Sequence, residues 1–288
     1  MPGRSHLRLV IAVVSVLAAV AVGITAVWSV ASAVPHWNVR NVIATLRKSS
    51  PPIHTGHKVL SVPDLHQVIL TTNSGDVHVV TGSGSRLHLT WSVPGKPQEA
   101  LDIHGIPGGE EVDFRPPDTP VMFGGGDVLN VILPADLAVT VDSDSGDIYA
   151  SGQYEALEAT SDSGDLHVSS FRGKLTAQAD SGDFYVRSAV VEGPLMLKTG
   201  SGDISFSGDP GLAAEVSADS GDLNLAIRPS GRIHVQVAVD SGDVTSTYPA
   251  LRSNSDDTEF EGVVGSGRAG TLNVATGSGD VNLTQWQQ

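Results

Sequence analysis

At 288 residues the chain is long enough for one large domain or two small ones. Its 32 acidic residues oppose 17 Lys+Arg, and a formal charge of −15 argues against a nucleic-acid binder, which needs cationic surface to displace counterions from phosphates. The lack of any cysteine excludes a disulfide scaffold, a thiol nucleophile, an iron–sulfur cluster and a thiolate zinc site.

The charge is unevenly spread. No acid precedes Asp64, whereas Arg4, Arg8, Arg40, Arg47, Lys48 and Lys58 all do, so residues 64–288 carry 32 acids against 11 bases, a net of −21. From Leu9 to Val34 there is no charge at all. As a helix that run spans roughly 39 Å at about 1.5 Å per residue, enough to cross a hydrocarbon core of about 30 Å. It predicts a transmembrane anchor at 9–34. Arg4 and Arg8 hold residues 1–8 as a short cytoplasmic tail, and Trp28 and Trp37 stand where an interfacial belt belongs. The alternative is a cleaved signal peptide, since Ala31-Ser32-Ala33 fits the small-x-small pattern. Both place the body outside the cytoplasm, and the retained anchor holds it at the cell membrane. Residues 35–58, ending after Pro51-Pro52, read as a juxtamembrane stalk.

Residues 59–288 read as a β-repeat ectodomain. Ser-Gly-Asp begins at Ser145, Ser163, Ser181, Ser201, Ser220 and Ser241, with gaps of 18, 18, 20, 19 and 21, and further copies begin at Ser74 and Ser278. Six and four residues before each serine the chain is apolar, as at Leu157/Ala159 and Leu175/Ala177. Three and five residues after it, apolar residues recur, as at Ile148/Ala150 and Leu166/Val168. Period-2 alternation on both sides of a turn means two short strands joined at each Ser-Gly-Asp. The fold class expected is all-β, a β-solenoid (β-helix) of 18–21-residue two-strand coils, with a β-sandwich as the alternative. The copies from Ser145 to Ser241 are expected to stack in chain order. The copy at Ser207 lacks the flanks and reads as a turn outside the register. Residues 94–126, rich in Pro, Gly and acid, read as an irregular excursion. Residues 246–271 read as carrying a polar insertion, SNSDDTEFEG.

The Ser-Gly-Asp repeats followed by apolar-x-apolar, the Val131-Ile132-Leu133-Pro134 lead-in and the ending Val274-Ala275-Thr276-Gly277-Ser278-Gly279-Asp280-Val281 resemble the bacterial β-strand-repeat family called putative adhesins. The resemblance covers about residues 60–285. It implies an envelope surface protein, often with an N-terminal membrane anchor, and transfers no catalytic residue.

Two outward columns are candidate sites. Asp144, Asp162 and Asp180 precede the serine, and Asp147, Asp165 and Asp183 follow the glycine. Stacked about 5 Å apart, these carboxylates repel, and Ca²⁺ would relieve the repulsion. The competing reading is that each Asp caps its own turn in water. One residue past the first inward apolar position stand His78, Tyr149, His167 and Tyr185, then Ser205, Asn224, Thr245 and Asn282. Tyr149, His167 and Tyr185 would form an exposed aromatic ladder able to contact a sugar or a protein partner, or simply to pair across strands. No nucleophile elbow, zinc-protease motif or phosphate loop occurs, and Asp102-x-His104 and Asp256-Asp257 are isolated.

The function expected is a non-enzymatic, membrane-anchored, extracytoplasmic adhesin-like module with an unknown protein or glycan partner and no cofactor. The alternatives are an envelope-stress or regulatory accessory protein that binds a membrane partner, and a Ca²⁺-binding or polysaccharide-acting β-helix.

Overall fold

In a computed structural model of the chain, the described residues are 52–61, 64–117, 127–253 and 258–286. The anchor expected at 9–34, the cytoplasmic tail, most of the stalk and Asp256-Asp257 lie outside them.

The chain opens with strands Ile53–Leu60 (β1), Gln67–Thr72 (β2), Asp76–Gly82 (β3) and Leu87–Pro94 (β4). A single 3-10 turn at Pro97–Glu99 leads to Leu101–Ile106 (β5), Gly109–Phe114 (β6) and Val128–Pro134 (β7). The regular repeat then supplies Ala138–Ser145 (β8), Ile148–Ser163 (β9), Leu166–Ser181 (β10), Phe184–Ser201 (β11), Ile204–Asp209 (β12), Ala213–Ser220 (β13), Leu223–Ile227 (β14), Arg232–Ser241 (β15) and Val244–Ser246 (β16). Arg252–Ser253 (β17), Glu259–Gly265 (β18), Ala269–Ser278 (β19) and Val281–Gln285 (β20) complete it.

Each coil is one strand running into the Ser-Gly-Asp corner and one running out. Coils pair with coils in parallel, as a solenoid requires and a sandwich of antiparallel hairpins does not. The incoming strands form sheet A, in the order β6, β2, β8, the second halves of β9, β10 and β11, then β13, β19 and β15. The outgoing strands form sheet B, in the order β7, β3, the first halves of β9, β10 and β11, then β12, β14, β20 and β16. Between the sheets lies one continuous core of Val, Leu, Ile, Ala and a few Phe, including Leu157, Ala159, Leu175, Phe184 and Phe206.

The alternation runs one step further into the corner than the sequence reading took it. Two residues before each serine, Thr72, Ser143, Ser161, Ala179, Thr199, Ala218, Val239 and Thr276 are also buried. The sheets converge there, so only small side chains fit. Thr72, Ser143, Thr199 and Thr276 donate their hydroxyls to corner carbonyls. Ser161 Oγ has no such partner among the described residues.

The coil order differs from the chain order at both ends. The coil ending in β20 inserts between those of β13–β14 and β15–β16, so Ser278 pairs with Ser220 on one side and Ser241 on the other. At the start, β2 and β3 lie between the coil of β8–β9 and a coil made by β6 and β7. The segment expected to be an irregular excursion therefore supplies a coil strand, because Val112 and Phe114 alternate inward behind a run of acids. The polar insertion supplies β18, which runs antiparallel along β15, with β17 beyond it. At the other end β5 runs antiparallel to β6, β4 antiparallel to β7, and β1 antiparallel to β4. Antiparallel strands thus cover coil edges that would otherwise invite pairing with another chain. Strand β1 begins at Ile53, six residues before the boundary expected between stalk and ectodomain.

Candidate functional site

The corner is built around glycine. Gly146, Gly164, Gly182, Gly202 and Gly221 have φ between +134° and +152°, a region open to glycine and strained for other residues. A Cβ on any of them would also strike the carbonyl oxygen of the glycine one coil below. Through this corner the ladder continues by backbone bonds such as Gly146 N–H to Ser163 and Ile148 N–H to Asp165. The intervening N–H, that of the Asp, points to the coil on the other side, and a side chain supplies its acceptor. Asp76 Oδ1 accepts from Asp147 N (3.1 Å), Asp147 Oδ1 from Asp165 N (3.0 Å) and Asp165 Oδ1 from Asp183 N (2.9 Å). The chain of bonds continues through Asp203, Asp222 and Asp280 to Asp243.

Self-capping of each turn is therefore corrected: Asp147, Asp165 and Asp183 each cap the next coil's turn, and the N–H groups supply part of the positive potential that the stacked carboxylates need. The other column behaves differently. Asp144, Asp162 and Asp180 are exposed, and the column is interrupted by Gly200 and Gly277 at the equivalent positions. Among the described residues no group of three His, Asp or Glu side chains is arranged around a common metal position.

The aromatic column stands beside the Asp ladder on the outer face of sheet B. His78 and Tyr149 have ring centroids 4.5 Å apart and tilted by 42°. Tyr149 and His167 stack at 4.6 Å and 9°, and His167 and Tyr185 at 4.9 Å and 6°. The spacing is that of the strands themselves, because identical register on adjacent parallel strands places ring above ring. The second oxygen of the Asp ladder holds the stack in place: Tyr149 Oη donates to Asp147 Oδ2 (3.1 Å) and Tyr185 Oη to Asp183 Oδ2 (2.8 Å). Burial, the Asp147 hydrogen bond and the carboxylates of Asp147, Asp76 and Asp165 push the Tyr149 phenol up to about 12. The hydrogen bond to Asp183, followed by burial and nearby carboxylates, raises that of Tyr185.

Self-stacking decides what the strip offers a ligand. The faces of Tyr149 and His167 are taken by their neighbours, so they present ring edges and polar atoms. Tyr185 keeps one outer face, toward Ser205, whose small side chain leaves it uncovered. Sequence register placed these residues in one column; the loss of ring faces follows from the 4.6–4.9 Å spacing.

The Ser-Gly-Asp corner carries both Asp columns, whereas the opposite corner mixes signs: Arg172 pairs with Glu192 and Lys174 with Glu155, beside Arg187, Arg228, Arg232, Arg268, Asp136 and Asp209. Gly208, of the Ser-Gly-Asp copy at Ser207, also belongs to that corner, outside the repeat register as expected. Asp102 and His104 touch at 3.3 Å on the exposed surface of β5.

A family model described as Toastrack DUF4097 matches residues 61–218 and 210–284, nearly the whole of the described repeat. The chain belongs to the Toastrack DUF4097 family. The resemblance to adhesin-like repeat proteins is thereby shown for this Toastrack chain, as a domain whose activity the family leaves open. No curated protein matches it. Among solved structures it is similar to a putative adhesin from Bacteroides fragilis, at 8% identity and a TM-score of 0.43, over 82% of this chain and 99% of that one. It is also similar to a putative cell adhesion protein from Clostridium sporogenes (11%, TM-score 0.35, 81% and 100%). A third is a putative lipid binding protein from Parabacteroides distasonis (11%, TM-score 0.23, 80% and 96%).

Proposed function

We propose that this Toastrack chain is a membrane-anchored, extracytoplasmic interaction module of adhesin type, non-enzymatic, which meets a glycan or protein partner on the outer face of sheet B. The observation that carries the reading is the rigid outward strip of Tyr149, His167 and Tyr185, in which both tyrosine hydroxyls are locked to the Asp ladder. Pre-organised rings lose little conformational freedom on binding, which favours contact energy at such a strip. The open face of Tyr185 beside Ser205 is the position for a pyranose ring or an apolar partner side chain. The uncharged run Leu9–Val34 supports attachment to the membrane, with the acidic body outside.

The test displays the full chain on cells and measures adhesion to glycan arrays and to partner cells. Tyr185→Ala should abolish adhesion while the melting curve stays cooperative. Unchanged adhesion by a folded Tyr185→Ala chain would refute the strip as the binding surface. Capture of one stoichiometric membrane protein with no glycan or cell binding would favour the accessory role instead.

A further inference from the structure

Three of the large apolar side chains exposed on the described surface fall in one row. Val59, Ile132 and Val80 are 38%, 50% and 43% exposed. Val59 pairs with His88, His88 with Ile132, and Ile132 with Val80, so the row crosses β1, β4, β7 and β3 on the outer face of sheet B. Isolated exposed aliphatics need no explanation, but three in one cross-strand row, with only the half-buried His88 between Val59 and Ile132, do.

The row lies at the one end of this face that is poor in acid. Strands β1 and β4 contain no Asp or Glu. The nearest carboxylate on β3, Asp76, has one oxygen engaged by Asp147 N–H. Strand β7 follows Asp127 and β3 opens with Asp76, as every outgoing strand from β9 through β16 follows an Asp of the ladder, so the acid-free part of the face is β1 and β4. This end is also where the chain enters the solenoid. Only residues 35–52 separate β1 from the uncharged run Leu9–Val34, and a segment of that length reaches at most roughly 60 Å when fully extended.

We infer that the Val59–Ile132–Val80 row docks on the surface of the bilayer that holds the N-terminal run. The inference rests on the anchored reading given above. A tether this short raises the effective concentration of the row at the surface into the millimolar range, so a patch too small to bind membranes unaided suffices. Docking at this end leaves Tyr185 three coils farther along the solenoid, accessible to a ligand.

The chain has no cysteine, so single labels can be placed without background. Full-length chain carrying Val80→Cys or Asn224→Cys is spin-labelled and reconstituted in vesicles of phosphatidylcholine and phosphatidylglycerol. Carbonate washing reads anchoring, and collision rates with oxygen and with a water-soluble nickel chelate read docking. The expected result is retention of both proteins, with a severalfold higher oxygen-to-nickel ratio at position 80 than at 224. Adding Ile132→Asp should bring the ratio at 80 down to that at 224 without loss of retention. Equal, water-like ratios in retained protein would overturn docking and leave the anchor standing. Extraction by carbonate would overturn the anchor and docking with it. A label at 80 that is water-exposed but immobilised in proportion to protein density would assign the row to a second copy and overturn the lipid assignment.

Discussion

The carboxylate of Asp165 accepts the backbone N–H of Asp183, one coil away, at 2.9 Å. That bond links adjacent coils at the one point where the corner glycine leaves a backbone donor without a backbone acceptor. Asp165→Ala should therefore cost about 1–2 kcal/mol in chemical denaturation, the range for losing a charge-assisted bond to a partly exposed donor. Asp165→Asn, which keeps the acceptor oxygen, should retain most of the stability. Equal losses in both variants would mean that charge rather than hydrogen bonding is what matters. The N–H groups already answer the carboxylates, so millimolar Ca²⁺ should leave the melting temperature of wild type unchanged, and a clear rise would restore the cation reading.

Ser161 presents the reverse situation. Its hydroxyl is buried at the corner with no partner among the described residues, while the equivalent positions on the coils directly either side of β11 are Ala179 and Ala218. Ser161→Ala should raise stability by about 1 kcal/mol, the order of cost of an unsatisfied buried hydroxyl. A loss would show that the hydroxyl has a bonding partner after all.

The chain has four tyrosines, and all of them titrate high. Burial raises Tyr154 and Tyr248, whose hydroxyls donate to backbone carbonyls of Val79 and Ile227. Because the folded state favours the neutral phenol, this contribution is complete below the ordinary value near pH 10. It is lost as pH rises through the raised values, about 12 for Tyr149. Ultraviolet titration of the folded protein should show no phenolate transition centred at pH 10, and alkaline unfolding should begin above that pH. A transition of normal midpoint that leaves the fold intact would contradict the packing of the strip.

The insertion of the last coil between two earlier ones predicts where stability resides. Leu272 and Leu283, at 1% and 0% exposure, sit near the chain terminus yet inside the stack. Leu272→Ala should cost about 2–5 kcal/mol, and amides of β19 should exchange as slowly as those of β10. Fraying of β19 and β20 ahead of the rest would contradict the coil order.

The corner and the coil were legible because Ser-Gly-Asp and its flanking alternation demand one backbone geometry at every copy. Neighbour order was not. Leu272/Val274 and Val235/Val237 have the same inward pattern, so either can lie against Ala214/Val216, and only the long connection through β17 and β18 decides which does. Strand β6 was hidden because Glu110, Glu111 and Asp113 dominate a segment in which just Val112 and Phe114 mark the inward face. The small residues at the corner, such as Ser143 and Thr199, looked outward-facing by polarity although their place in the alternation pointed inward. The aromatic column was readable from register, but its bonding to the Asp ladder needed the shared positions of Oδ2 and Oη.

Whether this chain meets its partner at the aromatic strip on the outer face of sheet B is read most directly by photo-crosslinking in living cells. A photoreactive phenylalanine derivative replaces Ser205, beside the open face of Tyr185, or Glu158, on the outer face of sheet A. A partner bound at the strip gives a discrete crosslinked protein or glycoconjugate from position 205 and none from 158. Crosslinking from 158 with none from 205 would contradict it.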